Sequence, residues 1–478
     1  MKLKKLVLAT ACSLATLSAH AEPANNDQNA AVSVFDSRVY RDLFGTDQMR
    51  GVFSDEALVN RWIEVEMALA KAQADMGMIP QDAYESIRKA AETVEIDFDA
   101  LRADTNRVGR GISPLLGQLR AAGDENVAVY LHFGSTTQDI MDTATVLQVS
   151  QALELIQQDL KQLVLNLADL AEQHKTTVMI SRTNGQDAIP TTFGLHLTTY
   201  MMELSRHITR LEEAGSRLAV QIGGTVGTLS GYGEQGLELQ ASVAKNLGLK
   251  TPSAPWNPSR DTFAEIVQTL GLVNATFGRI ADDVNTLGRT QILEVQEGEG
   301  GASSTMPQKR NPRAAEFMGG LSRMGKMYNS AALDMMGHTD TRQGAPWILE
   351  WSVIPDSFMV TSQSISRAER LFAKLIVNKD RMLENFNASR NFVMSEAVMN
   401  VLAEKIGRAR AYDVVKDAIA KAPEGSSLDD IVKKTPAIKQ HLTSKEIREA
   451  MNPANYLGVA EAIVERAVRE VRSERPKY

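Results

Sequence analysis

Three long stretches without proline constrain this chain of 478 residues more than any other feature. They lie between Pro114 and Pro190, between Pro258 and Pro307, and between Pro355 and Pro423. Proline lacks the backbone donor that a helix needs and clashes with the preceding turn, so its absence over so many residues permits long helices.

Apolar residues recur at steps of three and four within two of these stretches. The first series is Leu153, Ile156, Leu160, Leu163, Leu167 and Leu170, and the second is Phe263, Ile266, Leu270, Val273, Phe277, Ile280, Val284 and Leu287. This spacing is typical of the narrow seams of bundles and coiled coils. The second series predicts a helix from about Thr262 to Val295, ~50 Å long at ~1.5 Å per residue. Helices of this length indicate a bundle that extends across subunits, and a lone elongated helical protein is the alternative.

The chain is therefore predicted to be all-α, with three helical domains. We place an N-terminal helical domain at 22–130, a central long-helix bundle at 131–372 and a small C-terminal helical domain at 373–478. Strand signals are weak, and the sequence shows no internal repeat.

Residues 1–21 have the pattern of a secretory signal. Lys2, Lys4 and Lys5 precede an apolar run that ends in the small-x-small sequence Ala19–Ala21. This pattern predicts cleavage after Ala21 and a periplasmic or secreted protein. An N-terminal helix of the fold and a lipoprotein attached through Cys12 are the alternatives.

Cleavage after Ala21 would remove Cys12, which is the only cysteine, and would move the formal net charge from −7 to −10. Without a thiol, and with no H-x-x-x-H pair among the seven histidines, a tight metal site is not expected. The acidic balance argues against a nucleic-acid partner. The remaining chain has no apolar run of the ~18–20 residues that a transmembrane helix needs. It also lacks a phosphate loop and a G-x-S-x-G motif, and we predict neither a metal nor an organic cofactor.

Three polar segments carry the residues that could perform chemistry. They are HFGSTTQDIMDTA at 132–144, SRTNGQDAIPTTFG at 181–194 and EGGASSTMPQKRNP at 299–312. A Ser or Thr of the first segment is predicted to cap a helix, and Pro190 in the second is predicted to begin one. The third offers hydroxyls at Ser303 and Ser304, a cation at Lys309 and an amide at Asn311, a set that suits a carboxylate-rich anion. Its glycines permit a segment that becomes ordered on closure.

Together these segments resemble the signature regions of the fumarase/aspartase superfamily. The third is similar to the G-S-S-x-M-P-x-K-x-N loop of that family, with Ala302 where the family has glycine. Further segments, among them PWNPSRD and NFVMSEAVM, are similar to the 3-carboxy-cis,cis-muconate cycloisomerase branch, with adenylosuccinate lyases next. The likeness extends from about Val34 to the mid-400s.

The resemblance implies a homotetramer in which each active site uses segments of three subunits around a shared helix bundle. It also implies that Ser304 abstracts a proton and that Thr136, Thr137, Lys309 and Asn311 bind carboxylates. Ser303, Arg182 and Gln186 complete the predicted substrate-binding set.

Two residues bear on proton donation to the leaving group. Many members of the family carry a histidine as general acid where this chain has Asn184, and an amide cannot donate a proton at a useful pKa. Either the leaving group needs no strong acid or another residue supplies the proton. His132 is the candidate donor, and a packed or capping histidine is the alternative for it. The role of Glu316, which matches the carboxylate that orients the missing histidine, is open.

We therefore expect an exported lyase or cycloisomerase that performs anti β-elimination or addition on a small polycarboxylate. The alternatives are an adenylosuccinate-lyase-type enzyme that releases fumarate and a tetramer that binds a carboxylate without turning it over. A purely structural protein would explain the long seams but not the three polar segments.

Overall fold

The computed structural model describes residues 31–473, so the predicted signal at 1–21 lies outside the described part of the chain. Six helices precede the central bundle: α1 (Asp47–Val52), α2 (Asp55–Asp75), α3 (Gln81–Thr93), α4 (Phe98–Val108), α5 (Ile112–Ala122) and α6 (Glu125–Tyr130). Six more form the central part: α7 (Thr137–Gln173), α8 (Phe193–Gly215), α9 (Gly236–Leu247), α10 (Asp261–Leu287), α11 (Arg313–Asp334) and α12 (Gly344–Ala373). The last seven are α13 (Lys379–Ala388), α14 (Ser395–Ile406), α15 (Arg408–Ala420), α16 (Leu428–Lys434), α17 (Pro436–Lys439), α18 (Ser444–Ala450) and α19 (Ala460–Ser473).

The strands of the described residues are short and form three antiparallel pairs. They are β1 (Val178–Thr183), β2 (Gln186–Thr192), β3 (Val295–Glu297), β4 (Gly301–Ala302), β5 (Arg310–Asn311) and β6 (Leu375–Val377). Strand β1 pairs with β2, β3 with β6 and β4 with β5. The predicted all-α class is confirmed, because the strands only connect helices.

Three of the long helices, α7, α10 and α12, run in the same direction. Arg260, immediately before α10, forms ion pairs with Asp142 in the second turn of α7 and with Glu350 in the second turn of α12. Beyond the other ends of α10 and α12, β3 and β6 pair with each other. Helices α8 and α11 run in the opposite direction. Helix α8 starts beside the end of α7, and α11 starts beside β3.

The bundle therefore has two ends. We call the end with Asp142, Arg260 and Glu350 the first end, and the end with the β1–β2 hairpin and the β3–β6 pair the second end. Helix α7 has 37 residues, so ~55 Å separates its ends at ~1.5 Å per residue.

The predicted apolar seams lie in the core of the bundle. All residues of the second series are buried, and in the first series only Leu170 is half-buried. The helix predicted to reach Val295 ends at Leu287 instead, because Gly288 caps it and Val295 enters β3. Pro190 does not begin a helix. It lies in β2, and α8 begins at Phe193 because the side chain of Thr192 accepts a hydrogen bond from the backbone of Leu195.

Small residues allow α10 and α11 to pack closely. A Cβ atom added to Gly278 would lie 2.3 Å from Oγ of Ser322, and one added to Gly325 would lie 2.7 Å from Cβ of Asn274. Asn274 is fully buried and donates to Thr361 of α12 at 2.7 Å. These contacts therefore hold α10, α11 and α12 together.

Buried apolar side chains form three clusters. One fills the bundle, one joins α2–α6 to the first end, and one joins α13–α18 to Ile180 of the hairpin. The boundaries near 130 and 372 stay predictions. Within residues 31–473, no helix combines the length and apolarity that crossing a membrane requires.

Candidate active site

The first polar segment forms the N-terminus of α7 at the first end. Thr136 is the N-cap residue, and its side chain and that of Asp139 exchange hydrogen bonds with each other's backbone in a capping box. Nη1 of Arg342, in the connection between α11 and α12, donates to Oγ1 of Thr136 at 2.9 Å. Thr136 and Thr137 thus present the start of a long helix, where backbone N–H groups and the helix dipole favour anions.

Asp139 fastens this helix start to a neighbouring glycine-rich turn. Its carboxylate is fully buried and accepts the backbone N–H of Gly223 at 3.0 Å and of Gly224 at 2.9 Å. Burial raises the pKa of Asp139 to about 6, although these backbone donors act in the opposite direction. Gly134 takes a positive φ of 73°, and a Cβ atom there would lie 2.4 Å from the ring of Tyr232, so only glycine fits this turn.

A buried ion triad lies beneath the first end. Nη1 of Arg260 is 2.7 Å from Oδ2 of Asp142, and Nη2 of Arg260 is 2.5 Å from Oε2 of Glu350. The indole N–H of Trp347 donates to Oδ1 of Asp142 at 2.9 Å. Burial raises the pKa of Glu350 to about 7. Because each group has a charged or hydrogen-bonded partner, the triad holds α7, α10 and α12 in register.

His132 lies just before the first segment and forms an ion pair with a buried carboxylate. Its Nδ1 is 2.5 Å from Oε1 of Glu66, whose side chain is 2% exposed. Burial alone lowers the pKa of His132, but the hydrogen bond and the charge of Glu66 outweigh burial and leave this pKa raised. A cationic imidazole could donate a proton, but the same contact would explain a purely structural role.

The second segment forms the β1–β2 hairpin at the second end. Thr183 pairs with Gln186 across a two-residue turn in which Asn184 has φ of 53° and Gly185 has φ of 75°. Positive φ at both central residues is what a type I′ turn requires, and Asn-Gly is its preferred sequence. Asn184 and Gln186 are exposed at the tip of the hairpin.

Arg182 ties the hairpin to the segment after α10. Its two terminal nitrogens donate to both carboxylate oxygens of Glu294 at 2.9 and 2.7 Å, and the Glu294 side chain is fully buried. Asn385 donates to the same carboxylate at 2.9 Å. The hydrogen bonds of Arg182 thus orient the hairpin, and its predicted contact with substrate stays a prediction.

The third segment is a loop closed by the β4–β5 pair at the second end. Oγ of Ser303 accepts the backbone N–H of Thr305 at 3.3 Å and of Met306 at 3.0 Å, which shapes the tip of the loop. Ser304 is exposed beside it. Lys309 and Asn311 line a cleft of about 750 Å³ under the loop, and Lys309 forms no ion pair with any described residue. The loop therefore offers a hydroxyl and an unpaired ammonium group to an approaching anion.

Two contacts outside the loop hold its base. The carboxylate of Glu297 accepts the backbone N–H groups of Ala314 at 3.0 Å and Ala315 at 2.8 Å, at the start of α11. Glu316 forms an ion pair with Arg313 at 2.7 Å, not with a histidine. The loop is thus hinged on ordered residues while its tip remains exposed.

Within one chain the structure brings the second and third segments together and leaves the first at the opposite end. Asn184, Arg182 and Ser304 belong to the second end, whereas Thr136 and His132 belong to the first, ~55 Å away along α7. No single copy of the described residues can therefore place all the predicted site residues around one small molecule.

The first end also contains three residues that the sequence analysis did not single out. They are Arg342, His338 and Arg110. Both ring nitrogens of His338 are shielded from solvent and have no hydrogen-bond partner among the described residues. Burial and then the charge of Arg260 lower the pKa of His338, so its imidazole is neutral near pH 7. Contacts such as that of Arg342 with Thr136, 206 residues apart, leave no local signal in a sequence.

Comparisons with known proteins agree with this architecture. A family model described as "Lyase" matches residues 44–324, and one described as "Adenylosuccinate lyase C-terminus" matches residues 391–467. The N-acetyl-S-(2-succino)cysteine lyase of Dickeya dadantii is 34% identical, covering 89% of this chain and 95% of that protein. The 3-carboxy-cis,cis-muconate cycloisomerase of Acinetobacter baylyi is 35% identical, covering 92% and 99%, and the adenylosuccinate lyase of Methanocaldococcus jannaschii is 35% identical, covering 90% and 95%.

Solved structures show the same fold. The crystal structure of a fumarate lyase from Mesorhizobium sp. BNC1 superposes with a TM-score of 0.85 at 38% identity, covering 89% of this chain and 98% of that one. The cycloisomerase structure from Acinetobacter calcoaceticus superposes with a TM-score of 0.86 at 32% identity, covering 91% and 100%. With relatives this similar along nearly its whole length, the chain belongs to the fumarase/aspartase superfamily of lyases and cycloisomerases.

Proposed function

We propose that this protein catalyses anti β-elimination, or the reverse addition, on a small polycarboxylate, and that Ser304 takes or returns the proton. The observation that carries the proposal is the exposed loop at 299–312, which carries the exposed hydroxyl of Ser304 and, at Lys309, an ammonium group that forms no ion pair with any described residue. Cations and amide donors stabilise the negative charge that develops on a substrate carboxylate when the neighbouring C–H bond breaks. Lys309 and Asn311 supply such groups from one side of the substrate, and Thr136 and Thr137 from the other.

The leaving group that suits this site best is one that departs as a stable anion. Asn184 sits at the tip of the hairpin, where a general acid would stand by resemblance, and its amide cannot give up a proton near neutral pH. An amine or alkoxide needs such a proton, whereas a thiol has a pKa near ~8.5 and a carboxylic acid near ~4, so both leave unaided. The relatives include an enzyme named for a sulfur-substituted succinate and one named for a carboxymuconate. A thioether of succinate or a lactone is therefore the substrate class we favour.

A complete site needs several copies of the chain, and we propose a homotetramer. The three polar segments occupy opposite ends of each bundle, so copies packed side by side in opposite directions would bring unlike ends together. Large apolar side chains are exposed on the long helices, where such packing would bury them: Leu272, Met327, Leu333 and Ile348.

We further propose that the protein acts outside the cytoplasm. The basic residues, apolar run and Ala19–Ala21 site of the first 21 residues support export. Fractionation of cells that express the full chain, followed by N-terminal sequencing of the product, tests this: a periplasmic chain that begins at Glu22 is expected. A full-length chain confined to the cytoplasm would refute export.

Ultraviolet absorbance of the purified protein against a panel of substrates tests the reaction itself. The panel holds succinate thioethers, N-substituted aspartates, carboxymuconates and muconolactones, because each elimination or addition changes conjugation to a carboxylate. We expect turnover of a thioether or a lactone, reduced at least ~10²-fold by Ser304→Ala, since loss of a positioned proton-transfer group typically costs 10²–10⁴-fold. Thr305→Ala, which removes the neighbouring exposed hydroxyl, is the matched control and should stay within severalfold of the wild type. Equal rates in the two variants would rule out Ser304 as the base.

A second candidate is a lyase that acts on adenylosuccinate. The match of residues 391–467 to the adenylosuccinate lyase C-terminal model favours it. Adenylosuccinate therefore belongs in the same panel, and its selective turnover would replace our proposal. If no compound of the panel were turned over, while carboxylates still raised the melting temperature, the result would favour a binding protein without turnover.

A further inference from the structure

Arg110 occupies an unusual position at the first end, in the corner formed by two indole rings. It lies in the short connection between α4 and α5, and its guanidinium carbon is 4.9 Å from the ring centre of Trp347 and 5.0 Å from that of Trp351. The two indoles meet edge to face at 5.6 Å. Trp347 is itself fixed, because its N–H donates to Asp142 of the buried ion triad. The two rings therefore form a corner, here called the clamp, against which the flat guanidinium group packs.

The clamped guanidinium has no acidic partner among the described residues. Its Nη1 donates to the backbone carbonyl of the neighbouring Gly109, and no Asp or Glu of residues 31–473 forms an ion pair with it. Burial lowers the pKa of Arg110, which shows that desolvation of its charge is not offset by a nearby carboxylate. A part-buried cation without a counter-ion is costly in free energy and is expected where a ligand supplies the missing charge.

Arg110 also lies against the start of α12, close along the chain to a residue that contacts the predicted carboxylate-binding segment. Its Nη2 lies 3.4 Å from the position of a Cβ atom on Gly344, and Gly344 is two residues after Arg342. Arg342 donates to Thr136 at the start of α7 and, like Arg110, has no acidic partner among the described residues. One guanidinium group without an acidic partner thus stands beside Thr136 and a second beside Gly344, in addition to the ammonium group of Lys309 that another copy would bring on its loop.

Three unpaired cations are more than the two carboxylates of a succinyl group require. We propose that Arg110, packed in the corner of Trp347 and Trp351, binds a carboxylate on the leaving-group arm of the substrate, which is then a succinate whose substituent is itself anionic. This inference rests on the proposed function. It adds two points, namely that the arm of the substrate is negatively charged and that Arg110 selects for this charge. A thioether arm fits a site without a general acid because it departs as a thiolate, and Arg110 would hold the carboxylate that this thiolate carries.

Binding measured on a Ser304→Ala background tests the inference without turnover. The probes are 2-(carboxymethylthio)succinate and its analogue with a carboxamide arm, which differ only in the charge of the arm. We expect calorimetry to show a dissociation constant at least about tenfold lower for the carboxylate, the effect typical of a hydrogen bond to a charged group. Adding Arg110→Gln should bring the ratio of the two constants close to one.

Arg107→Gln on the same background is the matched control. Arg107 lies three residues earlier, exposed at the end of α4, and pairs only with Asp104. It should keep the full preference for the carboxylate. Within residues 31–473, the hydrogen-bond and ring contacts of the Arg110 side chain are with the backbone carbonyl of Gly109 and the two indoles, so its replacement should leave the melting temperature nearly unchanged.

Trp351→Ala separates the clamp from the charge. It removes one of the two ring faces and keeps Arg110, so the preference should fall partway towards one. An unchanged preference would overturn the role of the clamp.

The remaining outcomes separate this inference from the proposed function. A ratio near one before any change at Arg110, or a ratio that survives Arg110→Gln, overturns the inference, while Ser304-dependent turnover in the panel would leave the proposed function standing. Failure of both probes to bind, together with silence across the panel, overturns both.

Discussion

His132 contributes both to a local turn and to a contact with a helix far away along the chain. Its backbone takes a positive φ of 69°, which is unusual for a residue with a side chain, and its ring pairs with Glu66 of α2. The turn that leads into α7 is thus locked to the N-terminal helices. The hydrogen bond of this pair is stronger while the imidazole carries its charge.

The stability that this pair contributes should depend on pH. The folded-state pKa of His132 is raised above its ordinary value of 6.5, so the contribution is complete below about pH 6.5 and is lost as pH rises through the higher folded-state pKa. We expect His132→Gln to lower the free energy of unfolding by about 1–3 kcal/mol at pH 6 and by less at pH 9. Urea unfolding at the two pH values measures the difference.

His441→Gln serves as the control, because His441 makes no side-chain hydrogen bond with the described residues. Its effect should be small and equal at both pH values. Destabilisation by His132→Gln that grew with pH would contradict a cationic His132 in the folded protein.

Site residues differ in how far the sequence could predict them. Thr136 was predicted as one of three possible caps, and the capping box with Asp139 selects it. The hairpin around Asn184 was missed although its signal was present, because Asn-Gly between two β-prone runs is the strongest short-range mark of a type I′ turn. Arg110 and His338 could not be predicted, since the rings and charges around them come from distant parts of the chain.

At the scale of elements, close packing of α10 on α11 rests on glycine. Asn274 faces Gly325 and is held by Thr361 and Ser364 of α12 at 2.7 and 2.9 Å, so it cannot move to admit a methyl group. Interiors packed this densely lose stability when atoms are added.

We therefore expect Gly325→Ala to destabilise the protein by about 1–3 kcal/mol, although alanine is the better helix former. Gly320→Ala, on the same helix but with no atom within 4 Å of the added methyl group, should be neutral or stabilising by up to about 1 kcal/mol. Thermal unfolding of both variants gives the comparison. Equal effects would mean that the α10–α11 interface relaxes freely.

The long helices were predictable because their apolar residues recur in step with the helical turn over many residues. Their ends were not. The helix expected to reach Val295 stops at Leu287, and the one expected to begin at Pro190 begins at Phe193. Local capping by Gly288 and Thr192 decides both boundaries, and apolar periodicity carries no information about caps.

At the scale of the whole molecule, the shared direction of three long helices is the feature that matters most. Because α7, α10 and α12 run parallel, every copy carries its predicted carboxylate-binding threonines at one end and its mobile-loop serine at the other. An isolated chain should therefore be inactive, and activity should depend on assembly. The exposed apolar residues on α10–α12 give that assembly a driving force.

Mixed assemblies test the proposed sharing of sites. Arg342→Ala damages the first end and Ser304→Ala the second, so each homogeneous variant should be inactive. If a site takes Arg342 from one copy and Ser304 from another, random mixing leaves both intact in roughly a quarter of the sites. Co-expression of the two variants should then restore about a quarter of wild-type activity.

Ser304→Ala mixed with Lys309→Ala is the matched control, because both residues belong to one loop and no mixed site can recover an intact pair. No recovery in the test mixture would mean that each site is built from a single chain, and recovery in the control would mean that Ser304 and Lys309 reach a site from different copies.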